Sequence, residues 1–190
     1  PGKKHTETFR DNKHDILPGI RTKEYAKEQQ TPMASNIMVY SGNMDYTLRN
    51  QTLMSVYSQT MRMVFTEEIR EKEGGTYGVS CSGILSHYPK ADAILQIFYQ
   101  TDPDKKEHLN QRIEALVKAS MTDGPTADHL QKAKEYMLKT FKDNQKENSY
   151  WMNVLKEYIT DGIDLTENYE ALVNSISIED VKNFAAGLLS

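Results

Sequence analysis

The sequence predicts an α+β two-layer sandwich: a mostly antiparallel sheet, with a long helix and several C-terminal helices packed on one face. Three observations predict it. A short β-branched run, Asn36-Ile37-Met38-Val39-Tyr40, precedes a stretch whose apolar residues recur every three or four positions. Two alternating runs then follow, separated only by the turn residues around His87-Tyr88-Pro89-Lys90, which is too short a connection for parallel strands. Everything after Asp102 is helical in pattern.

In chain order, residues 1–18 are polar, carry no periodic apolar face and have linker composition, closing on the turn signal Pro18-Gly19. The folded domain is expected over 19–190. Residues 20–29 are strand-like but charged, which predicts an edge position. From about Asp45 to Arg70 one stripe forms from Leu53, Val56, Tyr57, Met61, Val64, Phe65 and Ile69, the pattern of a single long helix crossing the sheet. Gly74-Gly75 ends it where a left-handed cap is expected. Tyr77, Val79, Cys81, Gly83 and Leu85 alternate along the next strand, and Ala93, Leu95, Ile97 and Tyr99 along its partner.

Asp102-Pro103 supplies a cap and a proline at the first helical position. The following helix turns Leu109, Ile113, Leu116 and Val117 inward. Gly124-Pro125-Thr126 breaks it and caps the next helix, whose inner face is Leu130, Ala133, Met137 and Phe141. A corner at Asn148-Ser149-Tyr150-Trp151 leads to a helix expected to point Trp151, Val154, Leu155 and Tyr158 inward. Shorter helices are expected at 166–173 and 177–188, the second opening on the capping pattern Ser177-Ile178-Glu179-Asp180.

Composition narrows the functional classes. The 190 residues are 26% charged with a net charge of −4, which argues against nucleic acid or an anionic membrane as the main partner. No apolar run is long enough to span a bilayer. Cys81 is the only cysteine, so no internal disulfide forms, and its alternating position marks it as a core residue. The chain begins at Pro1 with no initiator Met and no secretory signal, and is read as a piece of a longer polypeptide.

No catalytic engine is visible. There is no G-x-S-x-G, no H-E-x-x-H and no H-x-x-E-H, and His87, His108 and His129 have no partner at ligand spacing. The histidines His5 and His14 lie in the polar tail. Gly74-Gly75-Thr76-Tyr77-Gly78 follows a helix and precedes a strand, the reverse of a phosphate cradle. The residues whose chemistry and placement together suggest a site are Arg70 and Tyr77, held by the loop of Gly74 and Gly75. Two readings compete. Arg70 complements the helix C-terminus and pairs with Glu67 or Glu73, with Tyr77 one more inward aromatic, or both face a ligand.

At Ile69–Val79 the chain resembles the C-terminal, non-catalytic half of a pitrilysin/insulinase-type zinc peptidase, the inverzincin family. The pattern is R-x-K-E-x-x-x-Y after a long helix, carried here by Arg70, Lys72, Glu73 and Tyr77. Further matches are Asp123-Gly124-Pro125-Thr126, Ala133-Lys134-Glu135, Tyr150-Trp151 and Ile178-Glu179-Asp180-Val181 with Phe184-Ala185. The resemblance covers roughly residues 19–188. It implies a parent zinc metalloendopeptidase that degrades peptides or small proteins in a closed chamber, with zinc bound outside this chain. Arg70 and Tyr77 would hold the peptide substrate for a catalytic domain of the same or a partner chain. The fragment alone is expected to be inactive, and a bacterial periplasmic setting is implied. The alternative is a catalytically inactive binding or assembly subunit of the same fold. The family usually continues into a further strand beyond the position of Ser190.

Overall fold

A computed structural model describes residues 17–28 and 30–189. The linker reading of 1–18 falls almost wholly outside the described residues, as do His5 and His14. Strand β1 is Ala34–Asn43, β2 is Val79–Ser86 and β3 is Asp92–Thr101; β3 lies between the other two and is antiparallel to both. Ile97 is paired with Met38 on one side and Cys81 on the other, so the central strand carries the register of the whole sheet.

Alternation decides which face is covered. Ala93, Leu95, Ile97 and Tyr99 are buried against helices, whereas Ile37, Val39 and Ile84 on the other face are exposed. Helix α1 (Leu48–Phe65) lies on β2 and α6 (Ile178–Leu189) on β1, with α2 (Lys106–Thr122), α3 (Ala127–Asn144) and α5 (Tyr169–Ser175) packed against these two. The expected two-layer arrangement is therefore the observed one.

Helix α1 starts where Thr47 accepts a hydrogen bond from the Asn50 amide at 3.1 Å, satisfying one of the four free N–H groups of a helix start. Its stripe is the core: Leu53, Val56, Tyr57, Met61 and Phe65 are all buried, with Val64 half-buried beside them. Each such side chain contributes about 1.5–3 kcal/mol when fully buried, an upper figure because unfolded chains already hide some surface. Two contacts lock α1 onto β2. Arg62 Nε donates to the Cys81 carbonyl at 2.6 Å, and Gly83 lets Met54 lie so close that a Cβ there would stand 2.0 Å from its sulfur.

The other caps follow their sequence signals. Thr126 accepts from the His129 amide at 3.1 Å, and Ser177 and Asp180 exchange side-chain-to-backbone bonds of 3.1 and 2.8 Å at the start of α6. Leu109, Ile113 and Val117 of α2 and Leu130, Ala133 and Met137 of α3 are buried, while Leu116 and Phe141 are half-buried. Asp102 makes no side-chain capping bond; Pro103 opens a single 3₁₀ turn before α2. The helix expected from residue 166 begins at Tyr169.

Several expectations are corrected. Residues 20–28 form no strand: Ile20 is 99% and Tyr25 88% exposed, so this segment has no apolar face on the core. The stretch to Arg70 is not one α-helix; α1 ends at Phe65 and a π-helix spans Thr66–Lys72. Tyr77 stands before β2 rather than in it.

Helix α4 (Asn148–Asp161) is turned differently from its sequence reading. Val154 is buried, but Trp151, Leu155 and Tyr158 are exposed, together with Met152 and Ile159. The line facing the body is Tyr150, Val154, Glu157 and Asp161, offset from the apolar stripe by one residue, about 100° on a helix. Two polar contacts set that rotation. Tyr46 Oη donates to Glu157 Oε2 at 2.7 Å, and Asp161 pairs with His87, whose ring stacks on Tyr46.

Candidate functional site

The π-helix and the loop after it form the region that the sequence singled out. A π-helix closes i→i+5 bonds and is frequent at functional sites. Ile69 is its only buried residue and continues the core line of Phe65. Glu67 and Glu68 reach back to the scaffold, while Glu71 is exposed. Glu67 Oε1 lies 3.0 Å from His129 Nε2 on α3, and Glu68 Oε2 lies 3.1 Å from Arg112 Nη2 on α2. Glu73, at the C-terminal edge, meets His108 Nε2 at 2.8 Å and Arg112 Nε at 3.3 Å. The His108 hydrogen bond, with lesser help from Arg112, holds the Glu73 carboxyl below its ordinary range. The exposed Lys72 reaches back one turn to Glu68 at 2.6 Å.

Arg70 is exposed and has no hydrogen bond or ion pair with any described residue. The pairing of Arg70 with Glu67 or Glu73, one of the two sequence readings, is not what forms: those carboxylates are taken by His129 and by His108 with Arg112.

The loop reverses sharply and is pinned at its base. Gly74 has φ +60°, the left-handed conformation that ends a helix with least strain when no Cβ is present. Gly75 serves for a different reason. It is buried, its carbonyl accepts from Thr101 Oγ1 at 2.6 Å, and a Cβ on it would stand 2.9 Å from Leu109 Cδ1. Thr76 closes a small turn on Gly78, its Oγ1 accepting from the Gly78 amide at 3.3 Å. Tyr77 is thereby thrown clear of the body and is 98% exposed, so the inward-aromatic reading also fails.

Arg70 and Tyr77 thus share the property of being large, hydrogen-bonding and without a side-chain partner among the described residues. The sequence names Glu67, as a candidate partner of Arg70, and His108 and His129, but does not link them with Glu68 and Arg112 as the residues that fix the turn. The partners lie 35 to 62 positions apart, with no local spacing to link them. A weak signal existed only for Glu73, inside the R-x-K-E run.

Among the described residues no group of three or more His, Cys, Asp or Glu side chains is placed to hold a metal ion. The acidic and histidine side chains at the turn are instead paired with each other and with Arg112. The donor set for a zinc ion is not found in the described part of this chain, and no chemical step is assigned to one here.

Residues 9–137, more than half of the chain, match the model of the peptidase M16 inactive domain. The chain belongs to this family. Solved structures share the fold of this M16 inactive domain at low identity. The periplasmic protease PqqL from Escherichia coli superposes with a TM-score of 0.72 at 16% identity, over 85% of this chain and 18% of that one. The ferredoxin protease FusC, in complex with Arabidopsis ferredoxin, gives 0.69 at 17%, over 84% and 18%. The peptidase M16 inactive domain from Pseudomonas fluorescens gives 0.69 at 19%, over 84% and 39%. The M16 inactive domain described here therefore spans well under half the length of each. A search of curated protein sequences finds no match. No helix among the described residues is long and apolar enough to cross a membrane.

Proposed function

We propose that this M16 inactive domain is the substrate-binding, non-metal-binding part of a zinc metalloendopeptidase, with Arg70 and Tyr77 contacting an extended peptide. The zinc and its ligands belong to a catalytic domain of the same or a partner chain, and residues 1–18 serve as the linker to the domain at 19–190. A periplasmic setting, as described for PqqL, is part of the same reading. FusC, in complex with a ferredoxin, is an example of a protease sharing this fold that engages a protein substrate.

One observation carries the reading. The π-helix commits Glu67 and Glu68 to the scaffold and leaves Arg70 without a partner among the described residues, seven residues before a fully exposed tyrosine. A peptide in a cleft presents carbonyl oxygens. Arg70 has five N–H donors and no acceptor, and it donates to them with full charge. Tyr77 adds a neutral donor on a short leash set by Gly74 and Gly75. Closure of a catalytic domain over the pair would exclude water and strengthen both bonds.

The test is steady-state kinetics on the parent protein carrying Arg70→Ala or Tyr77→Phe. A charge-assisted hydrogen bond is worth about 1.5–3 kcal/mol, so Arg70→Ala lowers kcat/KM about ten- to hundredfold. Tyr77→Phe costs about 0.5–1.5 kcal/mol if the hydroxyl touches only bound substrate. It costs about 2.7–4 kcal/mol, expressed in kcat, if it donates to a developing oxyanion. Wild-type kinetics in both variants refute the assignment.

A further inference from the structure

We infer that Arg112, on α2, is a positioning residue for the peptide-contacting pair. It bridges Glu68 within the π-helix and Glu73 just past its end, and so holds Arg70 outward. The inference rests on the reading of Arg70 as a peptide contact and adds a residue that neither the family match nor the sequence pattern assigns.

The argument is geometric. Glu68 and Glu73 are five positions apart. On an α-helix that separation turns them apart by roughly 140°, at about 100° per residue, so one guanidinium would not meet both. In an i→i+5 coil the fifth residue on lies close to one full turn above the first, on the same side. Both carboxylates do reach Arg112, Glu68 through Nη2 at 3.1 Å and Glu73 through Nε at 3.3 Å. The second is an ion-pair approach rather than an aligned hydrogen bond, since Nε is otherwise unpartnered and buried. The widened coil and the clamp therefore require one another: loss of Arg112 removes the common partner that keeps Glu68 and Glu73 on one side.

The remaining contacts fit the same scheme. His108, one turn before Arg112 on α2, takes the other oxygen of Glu73 at 2.8 Å, and His129 on α3 holds Glu67 at 3.0 Å. With these three carboxylates held by α2 and α3, Arg70 stays exposed and has no partner among the described residues. A return to α-helical winding would rotate Arg70 and shift the start of the Gly74 loop, moving Tyr77 with it. Arginine suits the clamp better than lysine, whose single ammonium engages one carboxylate well but not two held at a fixed fork.

Two measurements test this. In hydrogen exchange of the chain followed by mass spectrometry, Arg112→Met speeds exchange of peptides covering 66–78 about tenfold, leaving β3 and α6 unchanged. Arg112→Lys falls between that variant and wild type, and Arg70→Ala does not loosen the segment. Unchanged exchange over 66–78, or equal loosening throughout, overturns the clamp. In the parent protein, Arg112→Met lowers kcat/KM, and its effect is clearly smaller in an Arg70→Ala background because part of it acts through Arg70. Full additivity of the two substitutions overturns the inference. If Arg70→Ala leaves turnover at wild type, Arg70 is not a peptide contact and the positioning role fails with it, whatever the exchange shows. If Arg70→Ala is impaired while Arg112→Met is not, the peptide reading stands and the positioning role fails.

Discussion

The two glycines of the loop are adjacent but do different jobs, and substitution separates them. Gly74 has φ +60° with open space around it: no atom lies within 4 Å of where a Cβ would stand. Its replacement by alanine therefore meets only backbone strain, about 1–2 kcal/mol for an L-residue in the left-handed region. Asparagine tolerates that region and should recover part of the loss. Gly75 carries no such strain, but a Cβ there would stand 2.9 Å from Cδ1 and 3.3 Å from Cδ2 of Leu109, which is 1% exposed and hemmed in by the core. Overpacking of that kind costs about 1–3 kcal/mol. For a chain of this size each kcal/mol moves the midpoint by about 2–4 °C, so both alanine variants should melt measurably lower by calorimetry. The discriminating measurement is a double-mutant cycle with Leu109→Ala. The cost of Gly75→Ala should largely vanish once Leu109 is truncated, whereas the cost of Gly74→Ala should persist unchanged. A Gly74→Asn variant no better than Gly74→Ala, or a Gly75→Ala penalty that survives in the Leu109→Ala background, refutes the division of labour.

Three further outcomes are expected. Cys81 is fully buried and burial pushes its thiol up to about 12, so a thiol reagent at pH 8 should label it only after unfolding; rapid native labelling would contradict the buried placement. The Asp180 carboxyl is held below its ordinary value of 3.8, chiefly by the Ser177 hydroxyl and then by the Ser177 amide. Its contribution is complete above that value and disappears as pH falls through the lower folded-state value. Asp180→Asn should flatten the acid limb of the stability curve, and an acid limb identical to wild type would remove the cap from the account. Zinc titrated calorimetrically into the chain at neutral pH should give no stoichiometric binding, a one-to-one tight isotherm being the result that refutes it.

The fold was readable because its elements are locally consistent. The Leu53-to-Ile69 stripe, the Gly74 cap, the hairpin alternation and the Thr126 and Ser177 caps each carry a short-range signal. What was not readable depends on contacts between distant segments. The change from α to π winding after Phe65 leaves the core line through Ile69 intact, so apolar spacing alone does not register it. What marks it is Arg112, more than forty positions away. Arg70 and Tyr77 were visible as a pair, but their lack of partners among the described residues was not, because His129, His108 and Arg112 take Glu67, Glu68 and Glu73 from distant positions. The α4 face was misassigned by one residue, since apolar spacing identifies a stripe but not which way a neighbour will rotate it.

That rotation of α4 has a consequence for how the molecule opens. Its attachment comes from Val154 and from charged and phenolic groups, Glu157 with Tyr46 and Asp161 with His87, rather than from a large hidden apolar area. A segment held in this way exposes little new surface when it lifts off, so its opening should be almost insensitive to denaturant while global unfolding is not. Amide exchange in α4 should accordingly form a separate, low-lying cooperative unit. Helices α1 and α6, bound through Tyr57, Phe65 and Phe184, should exchange only when the whole domain unfolds.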